Sequence, residues 1–355
     1  MEGVVTVQGF WNDRRVLVTG HTGFKGSWLT LLLSRLGAVV TGYALPPVNQ
    51  SLFELAHVRR DLAGDFRADI CNAEALANAL NEADPEIILH LAAQPLVKAG
   101  YVDPIETYRV NVLGVAHILE AARRRSNVRA VLIVTSDKCY EVDPRGVRHS
   151  ENARLGGRDP YSASKACAEL VSSSFEAAFR QIQTLRIVTA RSGNVIGGGD
   201  FATDRIVPDA VRAFMSGQPV SVRMPGAVRP WQHVLDPLSG YLLLAEQAWR
   251  QTLAGAWNFG PDEDDEHDVE ALVTKLAAAW GAPAAWIADL TPHPPETVTL
   301  RLDSTKARHT LGWRPLLDFS TTVQWSAEWY RAYAGGADVR AITLAQVDSY
   351  LALNG

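Results

Sequence analysis

The stretch VLVTGHTGFKGSWL, from Val16 to Leu29, constrains the fold more than any other part of the chain. A short apolar run ends at Thr19, glycines follow at Gly20, Gly23 and Gly26, and an apolar helical pattern starts at once. A strand that turns into a helix through glycines spaced three and three is a dinucleotide loop. Gly20 permits the tight turn, Gly23 lets the backbone approach a pyrophosphate, and Gly26 lets helix and strand pack closely. The pyrophosphate then rests on the helix N-terminus, where free N–H groups point at it. Phe24 and Lys25 belong to the same loop. Lys25 reads as added positive charge near the phosphates; His21, like Lys25, is also compatible with a surface position. An ordinary strand-to-helix turn is the competing reading, and the flanking strand and helix disfavour it. One part of the fingerprint is missing. About 20 residues on, where an acid usually meets the ribose, the chain reads Thr41-Gly42-Tyr43-Ala44. That site does not distinguish NAD from NADP.

The first two-thirds of the chain repeat this alternation. Val16–Val18, Ala38–Tyr43, Ile87–Leu91, Ala130–Val134 and Leu185–Ala190 read as strands, with helical spacing over Ser27–Leu36, Ala73–Ala83, Pro104–Arg124 and Ser162–Arg180. Strand–helix–strand repetition predicts an α/β, Rossmann-type doubly wound parallel sheet, with ligands outside the carboxyl ends of its strands. This domain is expected over 1–190, with 231–262 returning to the sheet. A smaller substrate-binding region is expected over 191–355. There Gly193–Gly199 and Met224–Pro230 read as loops, and Pro208–Met215, Pro237–Trp249, Asp268–Trp280 and Ser320–Tyr333 as helices. The acidic run at Asp262–Asp268 reads as a solvated turn.

Composition narrows the class. The 355 residues are 47% hydrophobic and 21% charged, with a net charge of −5, which argues against a nucleic-acid partner. No apolar run reaches the roughly 18–20 residues of a membrane span; the stretch Leu29–Val40 is cut by Ser34, Arg35 and Gly37. The segment MEGVVTVQGF has neither a basic n-region nor an apolar h-region, so no signal peptide is expected. Cys71, Cys139 and Cys167 form no CxxC pair, which fits a reducing cytoplasm and speaks against a metal site.

Two further stretches carry chemistry. YSASK, Tyr161–Lys165, opens a helix and puts a phenol and an ammonium on one face. A nearby ammonium lowers a phenol's pKa from about 10, so Tyr161 can take a proton from a sugar hydroxyl. TSDKCYE, Thr135–Glu141, follows the strand Ala130–Val134 and brings Ser136, Asp137 and Lys138 to the carboxyl edge of the sheet. A polar turn and a surface helix are the competing readings. Cys139 reads as a packed residue, with no His paired to it, and Trp231 as core.

Together TGHTGFKG, HLAAQPLV, TSDKCYE, DPYSASKACAELV, GNVIGGGD, RPWQHVLDPLSGYLLLAE and WNFGP resemble the extended short-chain dehydrogenase/reductase family. Within it they are similar to the nucleotide-sugar 4,6-dehydratases, most narrowly the CDP-glucose branch. The resemblance covers Phe10 to Tyr330. It implies NAD as a regenerated cofactor and CDP-glucose as substrate, dehydrated to the 4-dehydro-6-deoxy sugar for deoxyhexose synthesis. By the resemblance Tyr161, with Lys165 and Ser136, takes the O4 proton; Asp137 is the acid at O6 and Lys138 the base at C5. The related dTDP-glucose and GDP-mannose enzymes carry Glu where this chain has Lys138. A lysine base must shed its proton from an ordinary pKa of about 10.4, which burial and nearby cations favour; Lys165 and an oxidised nicotinamide offer that charge.

The resemblance also implies that Asp69, Ile70, Leu91, Ala92 and Ala93 line the cofactor. It places Gln94, Asn194, Arg205, Arg229 and His233 toward the nucleotide sugar. Apolar stripes on Pro104–Arg124 and Ser162–Arg180 are expected to pair between subunits of a homodimer or homotetramer. Rival readings are a nucleotide-sugar 4-epimerase, a dehydratase of another nucleotide hexose, and a non-catalytic NAD sensor. An epimerase would not need the Asp137–Lys138 pair, and a sensor would not need Tyr161 and Lys165.

Overall fold

The computed structural model describes residues 9–143, 145–181, 184–250, 252–282, 286–289, 291 and 299–353. Seven parallel strands form the central sheet: β1 (Arg15–Thr19), β2 (Val39–Ala44), β3 (Gly64–Arg67), β4 (Ile87–His90), β5 (Ala130–Val134), β6 (Arg186–Ser192) and β7 (Gly255–Phe259). Their order is β7-β6-β5-β4-β1-β2-β3, so the winding reverses between β1 and β4. At such a reversal the connections leave in opposite directions and open a crevice at the strand ends. β5 is AVLIV, buried at every position, as a strand covered on both faces requires. The edge strand β3, GDFR, is missing from the sequence reading because it is short, polar and only half-buried.

Helices α1 (Phe24–Arg35), α2 (Ala73–Ala83), α3 (Gly114–Arg123) and α4 (Pro160–Phe179) are the crossovers. The predicted helix over Pro104–Arg124 is broken. Pro104–Tyr108 leads into a π-turn at Arg109–Leu113 before α3 begins. The second region carries α5 (Ile206–Met215), α6 (Leu235–Trp249), α7 (Val269–Trp280), α8 (Thr305–Leu311), α9 (Phe319–Ala334) and α10 (Val339–Leu353). α6 packs across β5 and β6, and α8 and α10 were not expected from the sequence. Inside the predicted loops, Val195–Ile196 pairs with Gln232–His233 and Val228–Arg229 with His267–Asp268.

The acidic run is not merely solvated. Glu266 binds Arg148 and Arg301, each at 2.7 Å, Asp262 binds Arg308 at 2.8 Å, and Asp265 accepts from the Phe319 N–H at 2.6 Å. The Asp265 contact fastens the start of α9 to the loop after β7, and the Asp262 contact ties α8 to it. Among the described residues no helix is long and apolar enough to cross a membrane.

Candidate active site

A cleft of about 1760 Å³ opens over the carboxyl ends of the strands, between the sheet and the second region. Its floor is the glycine loop. Gly20 has φ +73°, and a Cβ there would lie 2.7 Å from the Ala92 nitrogen; one on Gly26 would lie 2.1 Å from the Gly20 carbonyl. No larger residue fits either place. α1 starts after Gly23 with no side-chain cap and no acid in its first turn. Its positive end is therefore left for an anion.

His21 is not at the surface. It is fully buried, and its ring occupies the place a side chain at Gly42 would need, 2.4 Å from the Cβ that glycine lacks. Its Nε2 meets Asp65 Oδ1 at 2.9 Å, and burial lowers its pKa to about 4. β3 carries an acid, Asp65, but it does not line the cleft. Asp65 is committed to His21, to Arg67 at 2.7 Å and to Arg59 at 3.2 Å.

Lys25 does not stay with the phosphate loop either. Its ammonium donates to Ser192 Oγ at 3.0 Å at the end of β6. Burial, with Arg205 and Lys165 nearby, lowers its pKa to about 7.

The residues expected to carry the chemistry come together where β5 meets α4. After Val134 the chain makes one helical turn at Asp137–Cys139. Ser136 Oγ donates to Asp137 Oδ1 at 3.0 Å and accepts from the Lys138 N–H at 3.2 Å. Lys138 Nζ lies 3.7 Å from Asp137 Oδ1. Asp159 caps α4, accepting from the Ser162 N–H at 3.0 Å, and the first turn presents Tyr161 to the cleft that Ser136 also lines. Lys165 Nζ donates to the Val134 carbonyl at 3.3 Å, and burial lowers its pKa to about 8. The phenol departs from expectation: burial outweighs the pull of Arg205 and pushes Tyr161 up to about 12. Cys139 is fully buried, and its thiol is pushed up by burial.

Ser136, Lys138, Tyr161 and Lys165 line one cleft with Phe24, Lys25, Asp69, Ile70, Leu91, Ala92, Ala93, Asn194, Arg205 and Arg229. Asp137 lies behind Ser136, 1% exposed, with Oδ2 unpartnered among the described residues. The Asp69 carboxylate is held by Arg109 at 2.7 Å and by the Cys71 N–H at 2.8 Å, and its carbonyl accepts from the Tyr43 hydroxyl at 2.8 Å. Asn194 Oδ1 is buried without a partner among the described residues.

Two expected substrate residues do not line the cleft. Gln94 spends its amide on Thr107 Oγ1 at 2.8 Å and on the Leu96 N–H at 2.5 Å. His233 is fully buried, edge-on to Trp28 and Trp325, and packs in the core. The sequence reading missed Asn111. Set by the π-turn, its side chain bonds the Gln94 N–H and carbonyl and, at 2.9 Å, Ser164 of α4. A helix with no break in its apolar spacing gives no sign of such a turn, although these turns concentrate at functional sites.

A glycine loop feeding a parallel sheet, with a serine, a tyrosine and a lysine converging across it, defines a dinucleotide-dependent enzyme that moves protons and hydrogen on one substrate. The chain belongs to the NAD dependent epimerase/dehydratase family, whose profile matches residues 16–260. It is 44% identical to the CDP-glucose 4,6-dehydratase of Salmonella typhimurium over 97% of this chain and 98% of that protein. It is 30% identical to the UDP-glucose 4-epimerase of Mycolicibacterium smegmatis over 89% of this chain and 98% of that one. Among solved structures, the Thermus thermophilus UDP-glucose 4-epimerase in complex with NAD superposes with a TM-score of 0.76 at 27% identity, covering 89% of this chain and 99% of that one.

Proposed function

We propose that this chain is an NAD-dependent lyase that dehydrates CDP-glucose to CDP-4-dehydro-6-deoxyglucose, supplying deoxyhexose synthesis. The observation that carries the reaction type is the Asp137–Lys138 pair just after β5, beside Ser136 and Tyr161 on the cleft. A 4-epimerization needs only the tyrosine and lysine; an elimination needs an acid and a base as well. The choice of CDP-glucose rests on the 44% identity to the Salmonella protein of that name.

The residues fit NAD. The uncapped start of α1 suits its pyrophosphate, Asp69 and Ile70 border the β2–β3 side, and Leu91, Ala92 and Ala93 follow β4. Bound there, NAD would supply a hydride acceptor for C4, a hydride donor for C6 and a positive ring charge in the cleft. Tyr161 removes the O4 proton, with Ser136 orienting the phenol. The resulting C4 ketone makes the C5 proton acidic, and Lys138 takes it. Asp137 protonates the departing O6, and water leaves. Lys138 then returns a proton to C5. Arg205 and Arg229, with Asn194, are placed to hold the diphosphate.

Val102 is 87% exposed, Ile105 75%, Leu113 53% and Leu170 59%. These residues lie on Val97–Val102, Pro104–Arg123 and α4, where a second copy of the chain would cover them; we assign a homodimer or homotetramer on that ground.

The test is incubation with NAD and CDP-, dTDP-, GDP- or UDP-glucose, followed by product mass. Loss of one water from CDP-glucose alone supports both parts of the proposal. Loss of water from another nucleotide sugar overturns the choice of base, and an isobaric epimer overturns the reaction.

A further inference from the structure

Beneath the reaction centre lies a buried polar cluster that the proposed chemistry does not use: Thr135, Glu169, Thr189 and Arg191. Glu169 stands one helical turn after Lys165 and two after Tyr161, on the same face of α4. Its carboxylate is bonded by three side chains. Thr135, between β5 and Ser136, donates to Oε1; Thr189 and Arg191 of β6 donate to Oε2 at 2.7 Å each. Arg191 also donates to the Tyr140 hydroxyl at 2.8 Å and the Glu151 carbonyl at 3.2 Å.

The Arg191 and Glu169 side chains are 4% and 3% exposed. Well-packed apolar residues often stabilise a core as well as an ion pair this deep, so cohesion alone does not account for it. Its connections do. Thr135 and Ser136 directly follow Val134, whose carbonyl accepts from Lys165 at 3.3 Å, and Tyr161, Lys165 and Glu169 share a helix face. The contact from Thr135 to Glu169 closes that ring.

We infer that Glu169 is a positioning residue whose carboxylate, neutralised by Arg191, fixes the Ser136 end of β5 against the helix that carries Tyr161 and Lys165. The inference rests on the reading of those three residues as the reaction centre. The groups that face Lys165 are Glu169 and Tyr161 on its own helix, Cys139 after β5, His90 of β4 and Lys25 of α1. Of these, Glu169 favours the ammonium most strongly.

Two variants separate the bond from the charge. Thr135→Val removes the tie and leaves the ion pair; its kcat is expected to fall about 10- to 100-fold with KM unchanged, and Thr135→Ser to restore it. Glu169→Gln combined with Arg191→Gln keeps the core neutral, and thermal melting verifies its fold. With only six lysines in the chain, NMR of ¹³C-lysine-labelled protein can follow Lys165 directly, and its titration is expected to move to lower pH in the double variant. Wild-type kcat in Thr135→Val, failure of Thr135→Ser to restore it, or an unmoved Lys165 titration overturns the inference. A wild-type protein that turns over no nucleotide sugar overturns the proposed function instead, and the Lys165 titration then still decides the role of Glu169.

Discussion

Lys25 donates to Ser192 Oγ at 3.0 Å, so a residue of the glycine loop delivers its ammonium to the end of β6. Ser192 is in turn bonded to the Tyr241 hydroxyl at 2.7 Å. Three lysines from three elements, Lys25, Lys138 and Lys165, therefore share one cleft with Arg205.

Such crowding has a stability cost with a definite pH dependence. The Lys25 pKa is lowered to about 7, chiefly by burial. The unfolded chain holds that proton up to an ordinary lysine pKa near 10.4, so the cost is full below pH 7 and relieved as pH rises towards 10. Lys25→Met is expected to melt a few degrees above wild type at pH 6.5, to lose that advantage by pH 10, and to turn over more slowly. Thermal melts across that range, paired with turnover at neutral pH, check it.

Lys138→Met should separate the two halves of the reaction. In the proposed mechanism C4 oxidation draws on Tyr161, Lys165 and Ser136, all intact in this variant. Without the proposed C5 base the protein is expected to accumulate reduced nicotinamide and 4-keto sugar, with elimination down at least about 100-fold. Nicotinamide absorbance and product mass read the two steps independently.

Asp236 anchors the C-terminal helix. Its Oδ1 accepts from the Leu316 N–H at 2.8 Å and the Tyr350 hydroxyl at 2.9 Å. Burial raises its pKa to about 7. The folded state thus holds a proton the unfolded state loses near pH 4, and stability falls as pH rises from about 4 to about 7. The full effect is on the order of 4 kcal/mol. Asp236→Asn keeps the accepting oxygen and removes the titration. It is expected to flatten the stability profile between pH 4 and 7 and to exceed wild type at pH 8 in urea denaturation.

Gly42→Ala tests the packing of His21. The new methyl would overlap the imidazole, and overpacking of this kind costs about 1–3 kcal/mol. Truncating the ring in Gly42→Ala/His21→Ala makes room for it, so the double variant is expected to lose less than the sum of the single losses.

The fold was legible where one physical signal dominated. Apolar β-branched runs such as Ala130–Val134 and Ile87–Leu91 sit in the covered middle of the sheet, and the strand–helix alternation around them fixes the class. What escaped were elements whose stability comes from partners far along the chain. β3 is held by β2 and by Asp65 pairing with His21; the C-terminal helix is held by Tyr350 reaching Asp236. The same divide runs through the site. Tyr161, Lys165, Ser136 and Lys138 lie on the cleft because strand ends and helix starts fix them. The destinations of Lys25, Gln94 and His233 depend on side-chain paths that spacing does not encode. Asn111 depends on a π-turn with no mark in the apolar pattern.

The central claim is an elimination in which hydrogen migrates within one molecule. CDP-glucose deuterated at C4 tests it, with the product examined by mass and by the position of the label. The expected product is lighter by one water, with the deuterium retained and found at C6. A product of unchanged mass with deuterium still at C4, or a dehydrated product from which the label has been lost to solvent, would contradict it.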